Sequence, residues 1–178
     1  MTLWWLADGD NPREAYSGCV TDVDLVVDFL NTVNHDSHTD VLDDLAAWQA
    51  WLAERELAEG PADVRAVRGA LRAAVGDPVA PAAASAAVTI ELPAGGTPRL
   101  VARDVVGAVF AAASRLAVLG QWERVKICPA DDCRWAFYDR SRNHSRTWCS
   151  MQVCGNREKA RSWRDRRSEE QLGERVDQ

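Results

Sequence analysis

The sequence lacks the features of several broad classes of protein. It has no run of about 18 apolar residues, the length a membrane-spanning helix needs, so we expect a soluble protein. The first ten residues, MTLWWLADGD, show neither the basic start nor the long apolar run of a secretory signal peptide, which predicts a cytoplasmic location. We recognise no phosphate-binding glycine loop, no nucleophile paired with a base and no open metal site, which predicts that the protein is not an enzyme.

Cysteine is also sparse, but four of the five cysteines form two pairs with equal spacing. Cys128 and Cys133 form one pair, and Cys149 and Cys154 form the other after fifteen intervening residues. Two such pairs supply the four sulfur ligands of a tetrahedral zinc ion and leave no position for water, so we predict a structural Zn²⁺ site. Disulfides are the alternative, and a reducing compartment favours the metal. Cys19 stands alone and is expected to be a small buried residue rather than a nucleophile.

Positive charge is confined to one region of an acidic chain. Residues 1–120 carry 8 Arg against 17 Asp and Glu, a net charge of −9, whereas residues 121–167 carry 12 Arg and Lys against 6 acids, a net charge of +6. The last eleven residues carry one Arg and four acids, which completes the overall charge of −6. A basic module of this kind can bind a polyanion although the whole protein is acidic.

Apolar spacing predicts a fold that is mainly α with a small β-hairpin. The predicted helices run over residues 23–33 after a cap at Asp22, 41–57 after a cap at Asp40, from Pro61 to Gly76, and 105–119 after a cap at Asp104. Val41, Leu45, Trp48 and Leu52 form the apolar stripe that is expected to face the core from the second helix. Alternation near residues 88–103 predicts the hairpin, and residues 123–127 predict a short strand entering the cysteine region.

The cysteine region resembles the CGNR zinc finger. It reads CPADDC, FYDRSRNHSR and TWCSMQVCGNREKAR, and residues 154–157 supply the tetrapeptide CGNR. The upstream segment VVDFLNTVN is similar to the LDFxNT opening of the ABATE domain, which usually precedes this finger, with Val27 in place of Leu. The resemblance implies a zinc-dependent, DNA-binding transcription regulator of a family linked to stress.

Asp28 and Asn31 lie in the ABATE-like motif, on the polar side of the first predicted helix. One interpretation is a solvated helix face. The other is that the two residues hold the domain together or line a small-molecule pocket. His35 and His38 lie in a polar loop, where we expect solvated side chains rather than a second metal site.

The finger contains aromatic residues near its predicted ligands. We expect Trp135, Phe137 and Trp148 to pack around the metal, because small metal modules have little other core; exposed rings that stack on bases are the alternative. His144 is expected to be a loop residue or a phosphate donor, since four thiolates already satisfy the metal.

A basic helix is predicted from residue 158 to about residue 171, directly after the second cysteine pair. The residues expected to contact nucleic acid are Arg140, Arg142, Asn143, Arg146, Asn156, Arg157, Lys159, Arg161 and Arg164. Arginine forks bind phosphate oxygens or guanine edges. The alternative is a solvated helix paired with acids such as Glu158 and Asp165, or a helix docked on the acidic N-terminal domain.

These features predict three parts: a helical domain at residues 1–120, a zinc finger with its basic helix at 121–170, and an acidic tail at 171–178. The predicted function is zinc-dependent DNA binding that regulates transcription, with an N-terminal domain that senses a small molecule or a protein. An RNA-binding or ribosome-associated module and a protein-interaction adaptor are the alternatives. A homodimer would raise specificity through paired half-sites, although no heptad pattern indicates one.

Overall fold

The computed structural model describes residues 21–79 and 82–176. Within them the chain forms five α-helices: α1 (Asp22–Leu30), α2 (Leu45–Ala53), α3 (Val64–Ala74), α4 (Val105–Val118) and α5 (Asn156–Val176). The strands are β1 (Val33–Asn34), β2 (Thr39–Asp40), β3 (Thr89–Glu91), β4 (Arg99–Val101), β5 (Val125–Ile127) and β6 (Ala136–Tyr138). Cys19 lies outside the described residues. None of the helices in the described ranges has the length and apolar character needed to cross a membrane.

The fold is mainly helical, as predicted, but it holds more β-structure than one hairpin. In the described part of the chain, consecutive strands pair into three antiparallel two-stranded sheets: β1 with β2, β3 with β4, and β5 with β6. The hairpin β3–β4 is the predicted one, and β5 is the predicted strand ahead of the cysteines. Asp104 caps α4 as predicted, since its carboxylate accepts a hydrogen bond from the Gly107 amide at 2.8 Å.

An apolar core joins α1 to its neighbours. α1 packs mainly along α4 and also contacts α3 and β6. The buried apolar residues of these three helices include Val26, Phe29, Leu30, Val64, Val67, Leu71, Val105, Val106, Val109 and Leu116. Val125, Ile127 and Ala136 of β5 and β6 lie in the same core. The sheet that leads to the first cysteine pair is therefore built onto the helical body.

The first helix starts and ends differently from the prediction. Thr21 caps α1, because its Oγ1 accepts a hydrogen bond from the Asp24 amide at 3.2 Å. The prediction of a cap at Asp22 is wrong: Asp22 lies in the first turn and binds Arg115 of α4 at 2.5 Å. The helix ends at Leu30, ahead of residue 33, where the chain has already entered β1.

The second predicted helix is divided in two. Asp40 caps only one 3₁₀ turn, and Asp44 then caps α2 by accepting hydrogen bonds from two amides of its first turn. Leu45 is consequently the first helical residue and is 66% exposed, so its assignment to the core is wrong. Trp48 and Leu52 are buried as predicted.

The third helix begins at Val64, three residues after the predicted start at Pro61. Asp63 sets this boundary, since its Oδ1 accepts hydrogen bonds at 3.0 Å from two amides of the first turn. Val67 and Leu71 on its inward side are buried.

A buried ionic network ties α3 to the chain just after Cys133. Arg72 and Asp77 are almost fully buried, and their side chains pair at 2.5 Å. Arg72 also donates to the Arg134 carbonyl at 2.7 Å, while the Arg134 Nε donates to Asp77 at 2.7 Å. Each buried charge is paired and hydrogen-bonded, which offsets its desolvation.

Candidate metal centre and nucleic-acid interface

The first cysteine pair lies on the turn between β5 and β6. The Cys128 amide donates to the Trp135 carbonyl at 2.9 Å, which continues the sheet pairing beyond β5. The Cys133 amide donates to the Ala130 carbonyl at 2.9 Å and closes a tight turn before Arg134, whose φ is 48°. The sheet and the turn fix where both thiols sit.

The second cysteine pair lies at a wide helical turn, Met151–Gly155, that leads directly into α5: Cys149 precedes the turn and Cys154 lies within it. Ser150 begins this turn: its Oγ accepts a hydrogen bond from the Val153 amide at 3.2 Å, and its carbonyl accepts one from Gly155 at 3.0 Å. Cys154 is part of the turn, so its position also determines where α5 begins.

The four predicted ligands converge on one point. Their Sγ atoms all lie within 4.8 Å of one another, with 3.5 Å between Cys133 and Cys149 and 3.6 Å between Cys149 and Cys154. A tetrahedral zinc ion with Zn–S bonds of about 2.3 Å needs sulfurs about 3.8 Å apart. Cys128 and Cys154 are buried, and the other two are half-buried. The cluster therefore fits a closed, structural zinc site.

The four thiols lie so close together that their pKa values differ widely. Hydrogen bonding from Cys149 lowers the pKa of Cys133 to about 5. The same contact raises the pKa of Cys149, and burial raises the pKa of Cys154 to about 12. The arrangement stabilises one thiolate at the expense of its neighbours, and a bound dication would remove that mutual repulsion.

Arg157 of the CGNR tetrapeptide is engaged at the metal centre. Its Nη2 donates to the Cys154 Sγ at 3.7 Å and lies 2.7 Å from the Asp132 carboxylate. Asp132 belongs to the turn of the first cysteine pair, so Arg157 bridges the two pairs. A guanidinium in this place offsets part of the negative charge that four thiolates carry around Zn²⁺.

Asp139 organises the loop after β6, a role that sequence reasoning missed. It is fully buried, pairs with Lys126 at 2.6 Å and accepts hydrogen bonds from the amides of Ser141 at 2.9 Å and Arg146 at 3.0 Å. Burial alone would raise its pKa, but the hydrogen bonds from Lys126 and Ser141 hold the pKa of Asp139 well below its usual range. An aspartate in a turn-rich loop often accepts a hydrogen bond from the backbone amide two residues further on, and this local preference was the available sequence signal.

The predicted nucleic-acid contacts in the loop after β6 are of two kinds, those with free access to solvent and one that is bound within the protein. Arg140, Arg142 and Asn143 are exposed. Arg146 is exposed in part, but its guanidinium donates to two backbone carbonyls beside the second cysteine pair. Arg140, Arg142 and Asn143 can therefore contact an external ligand, whereas Arg146 stabilises the backbone at the metal centre.

The predicted nucleic-acid contacts on α5 also differ in their surroundings. Arg161 turns toward the finger, 3.3 Å from Glu158 and 4.0 Å from Asp131. The exposed polar residues of the described part of the helix include Asn156, Lys159, Arg164, Arg166 and Arg167. Arg166 and Arg167 were not among the predicted contacts, and Arg167 lies over the ring of Trp163, 4.8 Å from its centroid.

The aromatic residues of the finger are only partly buried. Phe137 and Trp148 pack against the cysteine cluster, as predicted. Trp135 is 38% exposed and belongs to neither apolar cluster, so its assignment to the packing is wrong. A module this small has too little interior to bury every aromatic ring. His144 is exposed, and its carbonyl accepts a hydrogen bond from Lys126 at 2.6 Å.

The two residues of the upstream motif make structural contacts. Asn31 joins α1 to the sheet of the first cysteine pair: its Oδ1 accepts from the Ala136 amide at 2.8 Å, and its Nδ2 donates to the Ala136 carbonyl at 2.9 Å. Asp28 binds Arg55 at 2.8 Å. These contacts fit the interpretation that the motif holds the fold together.

Comparison with known proteins agrees with this architecture. Residues 124–167 match the CGNR zinc finger, and residues 23–132, well over half of the chain, match the ABATE family, described as "Putative stress-induced transcription regulator". A search of curated proteins found no match. The chain belongs to the ABATE family and carries a CGNR zinc finger at its metal centre.

Proposed function

We propose that this protein is a zinc-dependent, DNA-binding transcription regulator of the cytoplasm whose helical domain senses a small molecule or a protein. The observation that carries the proposal is a set of exposed basic side chains on the two segments that the metal centre orients, the loop after β6 and α5. These side chains are Arg140, Arg142, Lys159, Arg166 and Arg167. They belong to the region of net charge +6 in a chain of net charge −6. Such a surface favours a polyanion.

Zinc has an organising role in this mechanism. When bound, it holds the two cysteine pairs together and thereby sets the direction in which α5 leaves the finger. Arg157 and Arg161 already face acids of the finger, so the contacts to DNA fall to the outward residues. A helix of this kind can lie in the major groove or along the phosphates.

The contacts of Asn31 and Arg72 support a path from a sensing domain to the finger. Both side chains hydrogen-bond to the backbone on either side of Trp135, at Ala136 and at Arg134. If an effector shifted α1 or α3, these bonds would carry the displacement to the first cysteine pair. Such an effector must bind the shifted and the unshifted conformation with different affinity.

DNA binding is tested on the full-length protein with labelled duplex DNA by fluorescence anisotropy, over a range of salt concentrations and with and without a zinc chelator. We expect binding that weakens with salt and is lost on chelation. Replacing Arg140 and Arg142 with Ala should reduce the salt slope by about two, since each phosphate contact contributes about one. The matched control replaces Arg99 and Arg103, two exposed arginines of the helical body, and should leave the slope unchanged.

Three outcomes would count against DNA as the ligand. Absence of salt-sensitive affinity for any duplex would refute the proposal. A clear preference for structured RNA would move the assignment to the RNA-binding alternative. Equal losses in the finger variant and the control would show that net charge alone drives the binding.

A further inference from the structure

A cavity of about 290 Å³ lies between Trp148 and α5. It is lined by Trp148, Gly155, Glu158, Lys159, Ser162 and Arg166. Ligand pockets range over roughly 300–1,000 Å³, so this one suits a single small planar group better than a large cofactor.

The absence of a side chain at Gly155 lets Met151 and Trp148 pack against the start of α5. A Cβ at this position would collide with the Sδ of Met151 and lie 3.2 Å from Cδ1 of Trp148. Glycine therefore lets the indole ring approach the start of α5 and form an aromatic wall.

The polar side chains of the cavity include an acid, two cations and the hydroxyl group of Ser162. Glu158 is 18% exposed, and its Oε1 is buried without a hydrogen bond in the described part of the chain, although it lies 3.3 Å from the Arg161 guanidinium. Lys159 and Arg166 are exposed at the mouth. An ionised carboxylate only accepts hydrogen bonds, so it suits a ligand with N–H donors, while the aromatic wall suits a planar ring and the cations suit a phosphate.

We propose that this cavity binds one unpaired guanine nucleotide of the nucleic acid that the basic helix holds, an inference that rests on the proposed function. Guanine presents two adjacent N–H donors on its Watson–Crick edge, which one carboxylate can accept together. Trp148 supplies the stacking surface, and Lys159 and Arg166 bind the phosphate. Since pairing occupies that edge in a duplex, the guanine lies in a bulge, a loop or an overhang.

The test uses the full-length, zinc-loaded protein and fluorescence anisotropy. The ligands are a short labelled DNA duplex, the same duplex with a one-nucleotide bulge of each base, and the matching RNA set. We expect a bulged guanine to bind about tenfold more tightly than the paired duplex or the other bulges. Any bulged base can stack on Trp148, but only guanine can donate two hydrogen bonds to the Glu158 carboxylate. Whichever of the bulged DNA and the bulged RNA binds more tightly identifies the source of the nucleotide.

Two variants and one control isolate the cavity. Glu158→Gln should remove the guanine preference, and Ser162→Phe should remove it by filling the cavity from the exposed side of α5. Glu123→Gln removes one negative charge, as Glu158→Gln does, but at an exposed acid outside the cavity, and should keep the guanine preference. The readout is the ratio of bulged to paired affinity, which a change in net charge alone does not move.

The cavity and the proposed function fail in different ways. Equal affinity for all four bulges, or a guanine preference that survives Glu158→Gln, would overturn the cavity assignment even if duplex DNA binds. Loss of all salt-sensitive duplex binding would overturn the proposed function. In that case equilibrium dialysis with the four nucleoside monophosphates tests the cavity alone: binding of the guanosine form above the others supports it, and no difference overturns it.

Discussion

Arg157 illustrates how a basic side chain after a cysteine pair can serve the metal rather than the nucleic acid. Its guanidinium touches the Cys154 sulfur at 3.7 Å and the Asp132 carboxylate at 2.7 Å. The planar fork can hold two different acceptors at once, which a lysine ammonium does less well. The side chain therefore joins the two halves of the centre and lies where it would balance the negative charge of the thiolates around a bound zinc ion.

We expect Arg157→Ala to weaken zinc binding by about tenfold, because partners of metal ligands commonly contribute 10–100-fold. Competition with a chromophoric chelator on the full-length protein measures this affinity. Arg157→Lys keeps the charge without the fork and should give an intermediate value. Arg142→Ala, at an exposed loop arginine, is the control. Unchanged zinc affinity together with weaker DNA binding would instead make Arg157 a nucleic-acid contact.

Asp139 is a second residue whose role depends on burial. We expect Asp139→Ala to lower the free energy of unfolding by about 3 kcal/mol, because Lys126 and two loop amides lose their buried partner. Urea unfolding of the zinc-loaded protein measures this, and Glu123→Ala, at an exposed acid, should change it by about 0.5 kcal/mol or less. The folded pKa of Asp139 lies below its ordinary value of 3.8, so its contribution is present above that pH and is lost as the pH falls toward the folded value. Equal effects of the two substitutions would contradict the role.

Elements of the fold were predictable where their signals are local. Asp104 directly precedes α4 and indicates where the helix begins. The cysteine pairs could be recognised because the spacing of metal ligands is a local requirement. Leu45 was misassigned because Asp44, a second strong cap, restarts the helix and turns that residue outward. The bonds of Asn31 to Ala136 join residues 105 positions apart, and no periodicity in either segment encodes such a pairing.

At the scale of elements we expect Asn31→Ala to release β6 from α1. The Ala136 backbone is buried, and the substitution leaves both of its polar groups there without the asparagine amide. Hydrogen exchange of the segment covering residues 125–138 should become at least about tenfold faster, equivalent to roughly 1.4 kcal/mol of local stability. Asn143→Ala makes the same chemical change in the exposed loop and should leave that segment protected. Unchanged protection in Asn31→Ala would show that packing alone holds the sheet.

The whole molecule combines an acidic helical body with a basic finger that shares its core. Val125, Ile127 and Ala136 are buried together with residues of α1 and α4, although they lie beside the first cysteine pair. Matches to the two families also overlap, at residues 124–132. An isolated finger would keep all four ligands but would expose the apolar side of its own sheet.

We therefore expect a fragment of residues 121–176 to bind zinc at least about tenfold more weakly than the full-length protein, because metal binding and folding share one free energy. Chelator competition gives the affinity, and hydrogen exchange of residues 125–138 reports whether the sheet forms. In the full-length protein Val125→Asp should reproduce part of this loss, since Val125 is buried in the shared core. Val118→Asp makes the same change at a side chain that is 88% exposed and should leave zinc affinity unchanged. A fragment with full zinc affinity and a protected sheet would establish the finger as an independent module, and effector signals would then need a route other than the shared core.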